Sequence, residues 1–260
     1  MFPCRLIVDP PQAGAWNMAV DEALLEDAAE RGVASLRFYE WSEPTLSLGY
    51  FQPIAEREVH AASREAAVVR RPSGGGALLH DRELTYSLCL PASHPLSRQA
   101  PAVYDRMHRA LVAVLAARGI RAALWATVMG EGEPSPAAAE PFLCFARRTA
   151  ADVILLDSPD GAVTIKIAGS AQRRRHGAIL QHGAALLAAS PAAPELPGLL
   201  EAAGFALKAP ELARDWAAAG AASLGLELEA NPIFLGPRVI ETARRLLETR
   251  YADKFWTGRR

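Results

Sequence analysis

Apolar positions first recur at helical spacing. Trp16, Val20, Ala23 and Leu24, with Asp27 on the same side, predict a helix over residues 16–31, and Gly32 follows as its stop. The period then falls to two. Leu36-Arg-Phe-Tyr-Glu-Trp41 predicts an alternating strand, and a second strand runs from Thr45 to Phe51 after Pro44. Val68-Val69 predicts a short strand leading into Arg70-Arg-Pro-Ser-Gly-Gly-Gly76, and Leu84–Leu90 predicts another alternating strand, ended by Pro91. Residues 102–118 predict an amphipathic helix with Val103, Met107, Ala110, Leu111 and Val114 inward and Gly119 closing it. Residues 130–141 have the Gly, Pro and Glu content of a loop that delivers the chain to Phe142-Leu-Cys-Phe145. Strands are expected at Asp152–Asp157 and Val163–Ala168 around a turn at Ser158-Pro-Asp-Gly161, with a tight turn at Gly169-Ser170. The apolar run Ala178–Ala188 predicts a strand in its first half. Residues 190–198 look like a linker, and Ala-rich short helices follow, ending in Val239–Phe255.

Strands interrupted by few helices predict an α+β fold with mixed or antiparallel sheets flanked by helices, rather than a doubly wound one. The expected organisation is one main domain over residues 1–190 and a helical extension over 191–260 packed on the same domain. With 260 residues, half of them hydrophobic, the chain has enough material for a sizeable core. A formal net charge of −1 argues against nucleic acid as the main partner. The three cysteines, Cys4, Cys89 and Cys144, form neither a disulfide framework nor a zinc pattern. No metal site is expected. The N-terminal residues lack the apolar run of a signal peptide, and no uninterrupted stretch is long enough for a membrane helix, so a reducing cytoplasmic setting and no membrane contact are expected.

Three segments carry candidate chemistry. In Arg70-Arg71-Pro72-Ser73-Gly74-Gly75-Gly76, continuing to His80-Asp81, the glycines free the backbone so that its amides can form a nest for a carbonyl, carboxylate or phosphate. The paired arginines can add charge-assisted bonds. The bland alternative is a glycine turn with two solvated arginines. In Lys166-Ile-Ala-Gly169-Ser170, a lysine sits inside an apolar strand, either with a task or as an edge lysine that snorkels. Downstream, Arg173-Arg-Arg175 reads as a solvated hairpin tip or as a docking patch for an acidic carrier protein. His182 reads as a satisfied core histidine or as a group that orients a carbonyl. Cys89 reads as core and Cys4 as incidental. Cys144 follows the loop and precedes Phe145-Ala-Arg-Arg148, whose cations favour a thiolate; it is either a structural cysteine or a nucleophile suited to two-step acyl transfer.

Taken together, Ala15-Trp-Asn-Met-Ala-Val-Asp-Glu-Ala-Leu-Leu25, Leu36–Gln52, Arg70–Asp81 and Lys166–Gly183 resemble the superfamily of lipoate–protein ligases, octanoyltransferases and biotin ligases. The resemblance covers roughly residues 5–190. Within the superfamily, Asp81-Arg-Glu-Leu-Thr-Tyr-Ser87, Lys166-Ile-Ala-Gly-Ser-Ala-Gln172 and Ile179-Leu-Gln-His-Gly183 resemble the cysteine-dependent octanoyltransferases of the lipoate-ligase-like type. This resemblance implies a catalytic domain of the biotin/lipoate ligase kind. It implies Cys144 and Lys166 as catalytic residues and Arg70, Arg71, Ser73, Gly74, Gly75, Gly76, His80, Gly169, Ser170 and His182 as substrate-binding residues. It implies transfer of octanoyl from acyl carrier protein, through an octanoyl-cysteine thioester, to a lysine of a lipoyl domain or of the glycine-cleavage H protein. The implied enzyme is a monomer that requires no cofactor. Ser73-Gly-Gly-Gly76 departs from the Thr-Gly-Gly-Arg common in the transferases and resembles the ATP-using ligases, for which ATP and Mg would be cofactors. The residues after Phe145 also differ from the pattern of the transferases, and the 22 residues from Cys144 to Lys166 are a longer gap than usual. An ATP-dependent lipoate ligase, an amidotransferase between lipoyl domains and a non-catalytic binding protein are the competing readings.

Overall fold

The structure, a computed structural model, describes residues 1–129, 141–156, 165–230 and 234–259. The expected turn at 158–161 and nearly all of the expected loop at 130–141 lie outside those residues.

In chain order the elements begin with β1 (Phe2–Val8), α1 (Gly14–Arg31), β2 (Ala34–Tyr39), β3 (Thr45–Leu48), β4 (Ala67–Arg70), β5 (Leu78–His80) and β6 (Glu83–Leu90). There follow α2 (Ala100–Ala116), β7 (Ala122–Leu124), α3 (Trp125–Met129), β8 (Val153–Leu155), β9 (Lys166–Arg175) and β10 (Ala178–Leu186). The chain ends in α4 (Leu199–Ala203), α5 (Ala209–Leu224), β11 (Leu226–Leu228), α6 (Pro237–Leu246) and α7 (Lys254–Gly258). An eight-stranded sheet runs in the order β11-β1-β2-β6-β10-β9-β8-β7, and a three-stranded sheet runs β4-β3-β5. The large sheet is parallel on the β11-β1-β2 side and antiparallel from β2 to β7; the small one pairs β3 parallel with β4 and antiparallel with β5. The fold class is the expected α+β with mixed sheets.

Helix α1 ends where Gly32 takes the left-handed conformation (φ 70°) and returns its N–H to the Ala28 carbonyl. In α2 all five expected inward residues are buried. The alternation in β2 and β6 does not divide core from solvent, because both faces of the sheet are covered. Leu36, Phe38, Leu84, Tyr86 and Leu88 pack with α2 and α5 on one face. On the other face α1 covers Ser35, Arg37, Thr85 and Ser87, all buried. Arg37 is tolerated there because its guanidinium donates to Asp9 (2.7 Å), Asp21 (2.9 Å) and the Asn17 side chain (2.9 Å).

Two local expectations change. Gly169-Ser170 is not a turn: β9 runs unbroken from Lys166 to Arg175, and the reversal comes at His176-Gly177, where both residues have positive φ (47° and 82°). The apolar run from Ala178 is strand through to Leu186. In the tail, α5 lies on α2, α6 lies on α1, and the three residues of β11 extend the large sheet by pairing with β1. Trp216 of α5 is fully buried, donates its indole N–H to the Met107 carbonyl (3.0 Å) and meets the Tyr86 ring at 4.7 Å. Trp216→Ala is expected to lower the unfolding free energy by about 3–5 kcal/mol, as measured by urea denaturation. A loss below 1 kcal/mol would mean that α5 is only loosely seated.

Candidate active site

The glycine loop leaves β4 at Arg70 and enters β5 at Leu78. Its shape depends on close approach of bare backbone: a Cβ on Gly49 would lie 1.9 Å from the Gly75 carbonyl oxygen, and Gly75 itself has φ 93°. Arg71 holds the loop from inside, with Nη2 donating to the carbonyls of Gly74 and Gly76 (both 2.7 Å) and Nη1 to that of Ser47 (2.9 Å). The backbone N–H groups of Gly74, Gly75 and Gly76 donate no hydrogen bond among the described residues, so the loop offers donors to a ligand.

Cys144 reaches this loop through a β-bridge between Leu143 and Ala77, and its N–H donates to the Ala77 carbonyl at 2.7 Å. It opens a short 3₁₀ turn, Cys144–Ala146. Cys4 and Cys89 are buried, and burial pushes their thiols up, to about 12 for Cys4 and well above the usual value for Cys89. Cys144 is the half-buried cysteine of the three. Burial lowers the Arg71 guanidinium to about 10, against which the charge of Cys144 acts to raise it; at neutral pH Arg71 is therefore a cation within electrostatic reach of Cys144.

Lys166, at the start of β9, is buried and ion-paired with Asp152 (2.8 Å). Its ammonium also donates to the carbonyls of Cys144 and Arg147, both at 3.3 Å, and stands 5.3 Å from the centre of the Phe145 ring. Gly169 lies beneath this side chain: a Cβ there would be 2.8 Å from Lys166 Cε. Gly169 is thus a place where a side chain folds across the strand, which is why a turn was the wrong expectation.

Two histidines line a small cavity near the loop. His182 Nδ1–H donates to Asp21 (3.0 Å), and Nε2 is hydrogen-bonded with the Ser73 hydroxyl (2.5 Å). His80 repeats the pattern, with Nδ1 to Glu83 (2.6 Å), Nε2 to the Ser47 hydroxyl (2.7 Å) and its ring stacked on Trp41 at 3.9 Å. The cavity, only about 20 Å³, is lined by Met18, Tyr39, Trp41, Leu78, Ala171 and Ala184, together with Arg71, His80 and His182. That is room for about one water and far below the size of a ligand pocket.

Cys144, Lys166, Arg71, Ser73, the three loop glycines, His80, Gly169 and His182 therefore fall in one region. Arg70 points away. It donates to the carbonyls of Gly49 (2.8 Å), Gln52 (2.6 Å) and Thr257 (2.7 Å), tying β4 to the C-terminal helix α7. Ser170 faces the opposite side of β9, where its hydroxyl bonds Tyr86 (2.7 Å) and His108 Nε2 (2.6 Å). Asp152, Asp21, Glu83, Trp41 and Tyr39 were missed by the sequence reading. A carboxylate just before a strand carried no mark of its lysine partner, and Asp21 differs from the other acids of α1 only by its distant partners.

The model of the lipoyl protein ligase A/B catalytic domain matches residues 13–195, more than half of the chain.

The chain belongs to the lipoyl protein ligase A/B catalytic-domain family.

It is similar to the octanoyltransferase LipM of Kyrpidia tusciae, at 34% identity over 98% of each chain. It is also similar to the octanoyltransferase LipM of Geobacillus kaustophilus, at 37% identity over 66% of this chain and 61% of that one. That second match spans under two-thirds of its relative's length. Among solved structures, a lipoate-protein ligase A bound with ATP superposes with TM-score 0.72 at 21% identity, covering 99% of both chains. The bi-partite lipoate protein ligase of Thermoplasma acidophilum gives 0.71 at 19% identity, covering 99% of this chain and 97% of that one. At such identities these structures show the family fold alone. Residues 196–260, beyond the family match, hold β11 and α4 to α7, which complete the large sheet and cover both of its faces. Among the described residues no group of three or more His, Cys, Asp or Glu is placed to hold a metal ion, and no helix is long and apolar enough to cross a membrane.

His108, behind the site, bonds Ser170 and the Ala151 carbonyl, and burial lowers it from its usual 6.5 to about 4. Between those values the unfolded chain binds a proton that the folded chain does not, so stability rises with pH across that window and gains nothing further above it. Wild type is expected to lose stability from about pH 6.5 down to about pH 4. In His108→Gln that slope should be shallower in urea melts at stepped pH; an unchanged slope would remove His108 as its source.

Proposed function

We propose that this chain is an octanoyltransferase of protein lipoylation, taking octanoyl from acyl carrier protein and placing it on a lysine of a lipoyl domain or glycine-cleavage H protein. The observation that carries this reading is the meeting of the half-buried Cys144, the Arg71 cation and the Lys166–Asp152 pair at a loop with open backbone donors. The names of the relatives support octanoyl transfer as the activity.

In the first step the Cys144 thiolate attacks the thioester carbonyl. A carbon–sulfur bond to Cys144 forms, the bond to the carrier breaks, and the carrier leaves as a thiolate that takes up the proton Cys144 released on ionising. The amides of Gly74 to Gly76 are the donors suited to the oxyanion. Lys166 holds the carbonyls of Cys144 and Arg147, so it sets the angle of the nucleophile's turn. In the second step the acceptor amine attacks the octanoyl-Cys144 carbonyl, the carbon–nitrogen bond forms, and Cys144 leaves as thiolate and takes up the proton the amine gives away. An amide is more stable than a thioester, so the proposed reaction needs neither nucleotide nor metal. The apolar side chains beside His80 and His182, among them Met18, Trp41 and Leu78, are of the type that lines an acyl site, and the small cavity there must widen to take the chain.

A second reading, ATP-dependent ligation, is favoured by the same open amides, which also fit a phosphate, and by Ser73-Gly-Gly-Gly76. One assay separates the two: intact mass of a lipoyl domain after incubation with octanoyl-acyl carrier protein and no ATP. Octanoylation is expected with wild type and a loss of at least ~1,000-fold with Cys144→Ala, the order reported for loss of a nucleophile. Product that requires ATP and free octanoate, and persists in Cys144→Ala, would overturn the proposal. Lys166→Met is expected to slow transfer by ~100-fold or more, and it leaves Asp152 unpaired in the interior, so its folding is read alongside by thermal melting.

A further inference from the structure

The arginine run at the β9–β10 hairpin does not act as one patch. Arg175 turns to Glu26 (2.9 Å), and Arg174 donates to the Ser97 carbonyl (2.8 Å). Arg173 is exposed, makes no ion pair among the described residues, and stands 5.2 Å from the centre of the Tyr50 ring. Arg259, from the end of α7, lies 3.9 Å from the ring centres of both Tyr50 and Trp256, and it too makes no ion pair among the described residues. Around these cations two aromatic rings face outward, Phe51 at 65% exposure and Phe255 at 87%. The patch is held firmly from below: the Trp256 indole N–H donates to the Arg70 carbonyl at 3.0 Å, and Arg70 returns bonds to α7. It therefore borders the glycine loop, and a Cβ on Gly74 would lie 4.0 Å from Phe51.

We propose that this rim, made of Tyr50, Phe51, Arg173, Phe255, Trp256 and Arg259, is the docking surface for the acidic carrier domain that delivers the octanoyl thioester. The inference rests on the transferase reading above. In a chain of net charge −1, two cations that make no ion pair among the described residues, gathered on the half-buried rings of Tyr50 and Trp256 beside the exposed Phe51 and Phe255, fit a partner rich in carboxylates. Aromatic residues and arginine are also the types that dominate binding energy at protein interfaces. The donor rather than the acceptor is placed here because the rim lies across the loop from Cys144. Gly74 faces Phe51, whereas Gly76 faces Arg147 of the Cys144 turn, so the folded loop separates the rim from that turn. A thioester carried on a long flexible arm suits a donor seated on the rim, because the arm can pass the loop to the sulfur.

The test compares two donors with the full-length enzyme: octanoyl-acyl carrier protein and the small neutral thioester S-octanoyl-N-acetylcysteamine, each with a fixed lipoyl-domain acceptor. Phe51→Ser and the charge reversals Arg173→Glu and Arg259→Glu are measured singly and paired, with melting curves checked against wild type. The proposal expects kcat/KM with the carrier to fall ~10- to 100-fold in the Arg173→Glu/Arg259→Glu pair. It expects the wild-type rate with the carrier to drop steeply with salt, and the small thioester to be used within about twofold of wild type by every variant. Equal loss with both donors, or a rise only in the KM for the lipoyl domain, would overturn the assignment of the rim to the donor. So would unchanged kinetics in all folded variants. Failure of wild type with both donors would instead overturn the transferase reading.

Discussion

The site depends on the buried guanidinium of Arg71. It satisfies the carbonyls of Gly74, Gly76 and Ser47, so the glycine loop closes around a cation rather than around water. Turning those carbonyls inward leaves the loop amides open to a ligand. The same charge acts on Cys144, whose turn is fixed to the loop by the Ala77 bridge. A loop that must be bare at Gly49 and Gly75, an arginine that cannot be solvated and a half-buried thiol are parts of one arrangement. Removing Arg71 takes the donor from the carbonyls of Ser47, Gly74 and Gly76, and leaving such groups unpaired is more costly than the bonds themselves.

The next layer consists of acid–histidine–hydroxyl chains. Asp21 on α1 and Glu83 on β6 each fix one imidazole, and each imidazole fixes a hydroxyl beside Arg71, Ser73 on the loop and Ser47 on β3. These chains explain why polar residues stand on the sheet face that α1 covers. Asp21 is shared with Arg37 and Tyr39, so the helix is locked in rotation as well as position. Lys166 and Asp152 play the matching part on the far side of Cys144. A small cavity lies beside these polar chains and takes its apolar lining from α1, β2, β5, β9 and β10.

Helices α1 and α2 and the main strands were legible in the sequence because their apolar periods are clean and their ends carry glycine or proline. The glycine loop, Cys144 and Lys166 were legible as a group through the resemblance, and each residue alone read equally well as ordinary structure. What escaped was set by partners distant in sequence. Arg70 and Arg71 are neighbours in a motif, yet one serves α7 and the other the loop, a split decided by strand geometry. Gly169 read as a turn because nothing local shows that the Lys166 side chain folds across it. Ser170 follows a glycine, as a loop serine would, but bonds Tyr86 and His108 on the face toward α2. Strand β11 has three residues, too few for a period, and exists because β1 offers an edge.

The central claim is that this arrangement makes Cys144 carry the acyl group. The most direct measurement is intact and peptide-level mass spectrometry of the enzyme itself after mixing with octanoyl-acyl carrier protein, with no acceptor and no nucleotide. The account predicts one octanoyl group per chain, on the Cys144 peptide, removed by hydroxylamine and passed on when a lipoyl domain is added. An unmodified enzyme that nevertheless supports transfer, or an octanoyl group on a different residue that is passed on to the lipoyl domain, would contradict it.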